Sequence, residues 1–207
     1  MAFLLLGTHA NAQIRVGLKA GVNASTIHGS GVAVNPRLGL QGGVLVDIPM
    51  TKSFSLQPAL VVSTKGYKVD FEVTNTTGLL SSPITNLTRL VYAEVPVLAL
   101  FRARISPSIR FYGGVGPYVA LGLSGKLSST YSLLGEQGVV FNSGRVTSNS
   151  YRRVDYGASA AAGLEVKRFL IGLNYTYGLV DLGSATFEAY HRTLGVTVGF
   201  WLARTRF

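Results

Sequence analysis

Three histidines, nine carboxylates and no cysteine are the stock of imidazole, carboxyl and thiol groups in this 207-residue sequence. Without cysteine, neither a disulfide framework nor a thiolate metal site can form. His28 and His191 do not converge by spacing with the scattered carboxylates, so no metal-ligand set emerges. His191 lies near Thr193 and within conceivable reach of Asp155, and Ser159 or a loop serine could complete a serine–histidine–acid set. No local motif surrounds these residues, and a histidine satisfied by neighbours at a strand end fits better than a catalytic base. The glycine-rich GGVGPYVALG (113–122) begins inside a strand pattern and leads into no helix, so it is not a phosphate loop. Nothing in the sequence calls for a cofactor, and no enzyme is expected.

What remains is charge and hydrophobicity. The net charge is +10 with 14% charged and 47% hydrophobic residues, and mean hydropathy is +0.33. The basic residues are spread over the whole chain without a nucleic-acid-binding motif, which excludes nucleic acid as a partner. The longest apolar run is about VPVLALF (95–101), far short of the roughly 20 residues of a transmembrane helix. Apolar residues dispersed at a period of two, with no long run, read as a transmembrane β-barrel.

The elements that carry these residues alternate with unusual regularity. In Ile14–Ser25, apolar Ile14, Val16, Leu18, Ala20, Val22 and Ala24 interleave with Arg15, Gly17, Lys19, Gly21, Asn23 and Ser25. Such a period can only be a strand with one apolar face, about twice the usual length. The pattern recurs over 37–47, 53–65, 90–101, 110–123, 154–166, 169–179 and 190–202, giving eight strands. Pro96 is unusual in a paired strand and marks a bulge. Tyr92 and Tyr67 break the aromatic parity and point inward or follow a bulge. Short connections (48–52, 102–108, 167–168) alternate with long ones (26–35, 66–89, 124–153, 180–189). The expectation is an all-β, eight-stranded antiparallel up-and-down transmembrane barrel with four long outer loops and both termini periplasmic. A soluble barrel with its apolar face inward is disfavoured, because the polar face is mostly Gly, Ser and Thr with few of the charges a solvated surface carries.

Residue placement then follows from parity. Phe54, Phe101, Phe111, Phe169 and Phe200 fall on the apolar face near short-turn ends, and Tyr156, Tyr177 and Tyr190 near long-loop ends, as two aromatic girdles. Arg15 is expected to meet Asp47, Lys65 to meet Glu94, and Arg110 to meet Glu165 inside the lumen, as structural pairs. Eight strands leave an interior just wide enough for side chains, so free diffusion of solutes is not expected. Arg192, beside Tyr190, can snorkel to lipopolysaccharide phosphates. Arg145, Arg152 and Arg153 either do the same or are solvated loop charges.

The first twelve residues, MAFLLLGTHANA, hold a short apolar stretch and an Ala-Asn-Ala cleavage pattern, read as the remnant of a signal peptide (1–12) before a barrel domain (13–207). The runs VGLKAGVNAST (16–26), GLQGGVLVDIPMTKSFSLQPALVVSTKGY (39–67), YAEVPVLALF (92–101), FYGGVGPYVALGLSGK (111–126) and DYGASAAAGLEVKRFLIGLNYTYGL (155–179) resemble the PorT-type outer-membrane β-barrel family of Bacteroidetes. The resemblance implies location in the cell outer membrane and insertion by the barrel assembly machinery. It also implies a role accessory to type IX-like protein export, with secretion-system proteins as partners. A departure is the tail ARTRF after Leu202, with Phe207 as a possible terminal aromatic. The residues themselves favour a monomeric, non-enzymatic barrel with a structural or surface-interaction role among outer-membrane lipid and lipopolysaccharide. A narrow channel and a lipid A-modifying enzyme are the remaining readings.

Overall fold

The computed structural model describes residues 13–28, 35–74, 81–129, 137–142, 150–181 and 190–205. Its long strands are β1 (Ile14–His28), β2 (Asn35–Pro49), β3 (Phe54–Thr74), β4 (Ser81–Ser106) and β5 (Ile109–Ser129). Three short pieces follow, β6 (Gln137–Gly138), β7 (Val140–Asn142) and β8 (Ser150–Arg152). The long strands β9 (Val154–Val166), β10 (Phe169–Gly178) and β11 (Tyr190–Thr205) complete the chain. Each long strand pairs antiparallel with the next, and β1 pairs with β11 over Ile14↔Thr205 to His28↔Tyr190, so eight long strands close into a ring. Closure leaves no sheet edge along the wall, which is the condition for a strand protein to sit in hydrocarbon.

The alternation of the sequence maps onto the two faces of that wall. Leu18, Val22, Leu40, Leu60, Val115, Leu173 and Val198 point outward and are exposed, while Arg15, Asn23, Gln41, Asp47, Ser63 and Glu165 are buried inside. This is the reverse of a soluble barrel. The outward face is apolar because it meets lipid; the inward face holds the polar groups. Phe54, Phe101, Phe111, Phe169 and Tyr156 are exposed on the outward face, and Phe200, Tyr177 and Tyr190 are partly exposed. Phe54 packs on Phe101 and Phe169 on Phe200, with ring centroids 5.3 and 5.1 Å apart.

Several strand boundaries differ from the sequence reading. The segment 66–89 is no long loop: β3 runs on to Thr74 and β4 starts at Ser81. In sequence, residues 67–74 (YKVDFEVT) keep a period of two, and Val69 is buried on the parity of Ser63 and Lys65. Likewise β1 continues to His28, β5 to Ser129 and β11 to Thr205. At the short-turn end, β4 continues to Ser106, so Arg102–Ser106 is strand and the connection to β5 is only 107–108. Pro96 causes no bulge. The β3–β4 register is the same on both sides of it (Pro58↔Val97, Val61↔Glu94), and the shifts lie at Val91/Tyr92 and Arg104/Ser106. Two prolines, Pro58 and Pro96, instead interrupt the ladder by removing donors while keeping the register. Tyr92 follows the shift and is fully buried. Residues 1–12, Arg145 and Phe207 lie outside the described residues.

Val22 sits mid-strand on the outward face, 53% exposed. Val22→Arg is expected to destabilise the barrel folded in phospholipid vesicles by about 2–4 kcal/mol, read by urea titration. Unchanged stability would mean that this face does not meet hydrocarbon.

Candidate functional site

The inward face concentrates the chemistry in two clusters, one at each end of the lumen. At the short-turn end, register sets Arg15 opposite Asp47 across β1–β2 and Arg110 opposite Glu165 across β5–β9. Arg15 holds Asp47 Oδ2 through Nη2 at 2.7 Å and crosses the lumen to Glu165 Oε1 through Nη1, also at 2.7 Å. Its guanidinium lies over the Trp201 ring, 4.3 Å from the centroid. Arg102 contacts the other Asp47 oxygen at 2.7 Å, lies 4.0 Å from Glu165 and donates to Ser55 Oγ. Two arginines thus share two carboxylates, so opposite charges face each other in the buried cluster. Arg110 is 41% exposed and stands 3.7 Å from Glu165, so it is a rim contact, whereas Glu165 is held chiefly by Arg15.

Toward the long-loop end, Lys65 Nζ lies 2.9 Å from Glu94 Oε1 and 3.8 Å from Asp155 Oδ2. Register pairs Lys65 with Leu90 and Glu94 with Val61, so the two meet by leaning along the lumen and not by facing each other across the ladder. The ammonium sits near the faces of Tyr92 and Tyr118, 5.5 and 5.1 Å from their centroids. Asp155 accepts from Tyr118 Oη at 3.0 Å, and His191 Nδ1 is 3.4 Å from the same Asp155 oxygen. His191 packs edge-on against Tyr92, and its Nε2 has no hydrogen-bond partner among the described residues. Among the described residues, the histidine–acid contact thus has no hydroxyl on its other nitrogen, as a nucleophilic set would require. Among the described residues no three His, Asp or Glu side chains converge as a metal site.

Between the clusters, Gln41 from β2 and Asn174 from β10 bridge the lumen: Gln41 Nε2 donates to Asn174 Oδ1 at 3.0 Å. The bridge needs Gly195, where a Cβ would stand 2.1 Å from Gln41 Nε2. Lys19, Gln57, Ser159 and Thr176 line the remaining cavity, which leaves about 50 Å³ for water centres. That is room for a few waters. Two apolar layers close it. Leu45, Val61, Leu98, Leu100, Tyr112, Leu170 and Trp201 pack on the short-turn side. Leu90, Tyr92, Tyr118 and Ala120 pack on the other, with Val139 and Phe141 from the β5–β9 connection folded against them. Gly172 and Gly163 make space for Tyr112: a Cβ there would lie 2.1 and 2.6 Å from its hydroxyl.

Sequence reasoning misses six participants. Arg102 falls in an expected connection, Lys19 and Trp201 read only as strand residues, and the inward Leu45, Leu98 and Leu100 look like their outward neighbours. Parity alone could have found Arg102 and Trp201. Of the other basic positions, Arg192 lies over the Tyr177 ring at 5.3 Å, and Arg152 and Arg153 are exposed.

A closed eight-stranded ring with an apolar exterior and a charged, filled interior defines an integral membrane β-barrel. Residues 9–183 match the family described as "Outer membrane protein beta-barrel domain". The chain belongs to that family and resides in the outer membrane. No curated protein matches the sequence. Among solved structures, the chain is similar to Ail, the attachment invasion locus protein of Yersinia pestis, at 14% identity and a TM-score of 0.45 over 92% of this chain and 99% of that one. It is also similar to OprG of Pseudomonas aeruginosa, at 11% identity and a TM-score of 0.48, covering 93% and 97%. For Neisserial surface protein A the figures are 12%, 0.47, 90% and 97%.

Asp47 is fully buried between Arg15 and Arg102. Asp47→Asn leaves guanidinium charge uncompensated and is expected to cost about 3–5 kcal/mol, seen as a lower temperature for loss of the compact band on unboiled gels. Glu94→Gln should lower the same temperature; an unchanged value would dissolve the Lys65–Glu94 pair.

Proposed function

We propose that the protein is a non-enzymatic outer-membrane barrel with a structural or surface-interaction role, short turns and both termini toward the periplasm and long connections outside. The observation that supports this reading is the filled lumen: among the described residues, two charge clusters and two apolar layers occupy the bore, with a cavity of about 50 Å³ between them. A barrel closed in this way acts through its ends. Arg192, stacked on Tyr177 at the long-loop end, and the exposed Arg152 and Arg153 suit contact with lipopolysaccharide phosphates. Gentle extraction through a tag in the 124–153 segment is expected to recover the barrel alone with lipopolysaccharide. Stoichiometric recovery of export or periplasmic assembly proteins would replace this reading with an accessory role in secretion, the role that the PorT-type resemblance implies.

The filled bore also bears on the channel and enzyme readings. In planar bilayers the purified barrel is expected to show no stepwise conductance, and the lipid A mass profile of a deletion strain is expected to match its parent. Steady single-channel steps, or a lipid A change restored by the wild type and not by His191→Ala, would overturn the corresponding half of the proposal.

A further inference from the structure

Among the described residues, the short-turn rim carries more positive charge than its carboxylates compensate. Because β4 continues to Ser106, the β4–β5 hairpin projects past the β2–β3 turn at 50–53, and Arg102 N–H donates to Ser53 O at 2.7 Å where the two part. Between them lies an open cleft of about 630 Å³ lined by Lys52, Ser53, Phe101, Arg102, Arg104 and Arg110. Arg104 and Arg110 stand directly opposite each other in the β4–β5 ladder, an arrangement in which like charges are destabilising. Among the described residues neither Arg104 nor Lys52 has an ion pair; Asp47 and Glu165 are held by Arg15 and Arg102, and Arg110 reaches Glu165 only at 3.7 Å. Arginine pairs of this kind are stable when an anion lies between them, and two guanidinium groups with a lysine match the oxygens of a phosphate.

The other wall of the cleft is apolar. Phe101 lines it, its ring packs on Phe54, and Ile105, four residues further along β4 at the register shift, is 63% exposed. A free anion has no use for that surface, and an acyl chain does. We propose that the cleft binds an anionic glycerophospholipid, its phosphate between Arg104, Arg110 and Lys52 and its acyl chains along Phe101, Phe54 and Ile105. The choice of phospholipid over lipid A rests on the reading that this end faces the periplasm, hence the inner leaflet.

The test is native mass spectrometry of the full barrel in detergent, with phosphatidylglycerol, phosphatidylethanolamine of the same chains, lipid A and inorganic phosphate added in turn. Wild type should retain phosphatidylglycerol at least about tenfold better than phosphatidylethanolamine, and Arg104→Gln/Arg110→Gln should erase that preference. Lys52→Gln, in an exposed turn outside the ladder, should lower it severalfold and guards against a folding defect in the double variant. Equal retention of the two phospholipids, or a preference untouched by both variants, would overturn the proposal. Inorganic phosphate binding as tightly as phosphatidylglycerol would assign the cleft to a free anion, and tighter binding of lipid A would remove the phospholipid assignment. Orientation is read separately by labelling Lys52→Cys in intact cells: labelling from outside would refute the periplasmic placement while leaving the binding result to stand on its own.

Discussion

A backbone N–H or C=O left unpaired in hydrocarbon costs several kcal/mol, because no water can replace the lost partner. The rest of this structure depends on that constraint. It forces the first and last strands together, and β1 and β11 pair over their whole length, with one register shift at Val16/Gly17. Once eight strands have closed, the bore is fixed at a width that side chains fill. The interior then has to be packed like a core from residues that face inward at every second position. Glycine on the inner face is what lets large groups enter: Tyr112 lies over Gly163 and Gly172, and Trp201 approaches Gly17, where a Cβ would stand 2.8 Å from its ring.

A filled bore is also a poorly hydrated one, so its charges must be neutralised where they stand. Desolvation of a buried ion pair can offset its attraction, and such pairs are weak evidence for net stability. What the pairs here provide is cross-lumen specification. Arg15 reaches Glu165, 150 residues away in sequence, and Gln41 reaches Asn174 across 133. A strand slipped by one residue would turn every one of these groups outward into lipid. The penalty for misregister is therefore larger in this barrel than hydrogen bonding along the wall could supply.

The wall was legible in the sequence because period two and a lipid-facing surface leave little choice of residue. From Ile14 to Ser25 the apolar and polar positions never exchange, and the structure places each on the face its parity dictates. The ends were less legible. Beyond the membrane both faces of a strand can be polar, so YKVDFEVT reads as a loop once charge is taken as the sign of one, although its alternation persists. The interior was legible in parity and not in partner. Arg15 and Asp47 share a register position, but Lys65 and Glu94 do not; their meeting follows from strand tilt and side-chain length, which no one-dimensional pattern records. Tyr92 marks a further limit, since a one-residue shift at Val91/Tyr92 is visible only as an aromatic on the polar side.

The two ends of the barrel solve the same charge problem differently. Toward the long-loop end Lys65, Glu94, Asp155, Tyr118 and His191 are sealed beneath Tyr92 and Phe141, so their chemistry is spent inside the protein. At the short-turn end only Arg15 and Arg102 are enclosed. Arg110 is half in solvent, and Arg104 opposes it with no carboxylate between. Structural pairing alone would not place a second arginine at that register position, since a glutamate or threonine on an exposed rim would remove the repulsion without disturbing the buried cluster. The buried arginines complete the core, whereas Arg104 and Arg110 stand at its rim, Arg110 in contact with Glu165.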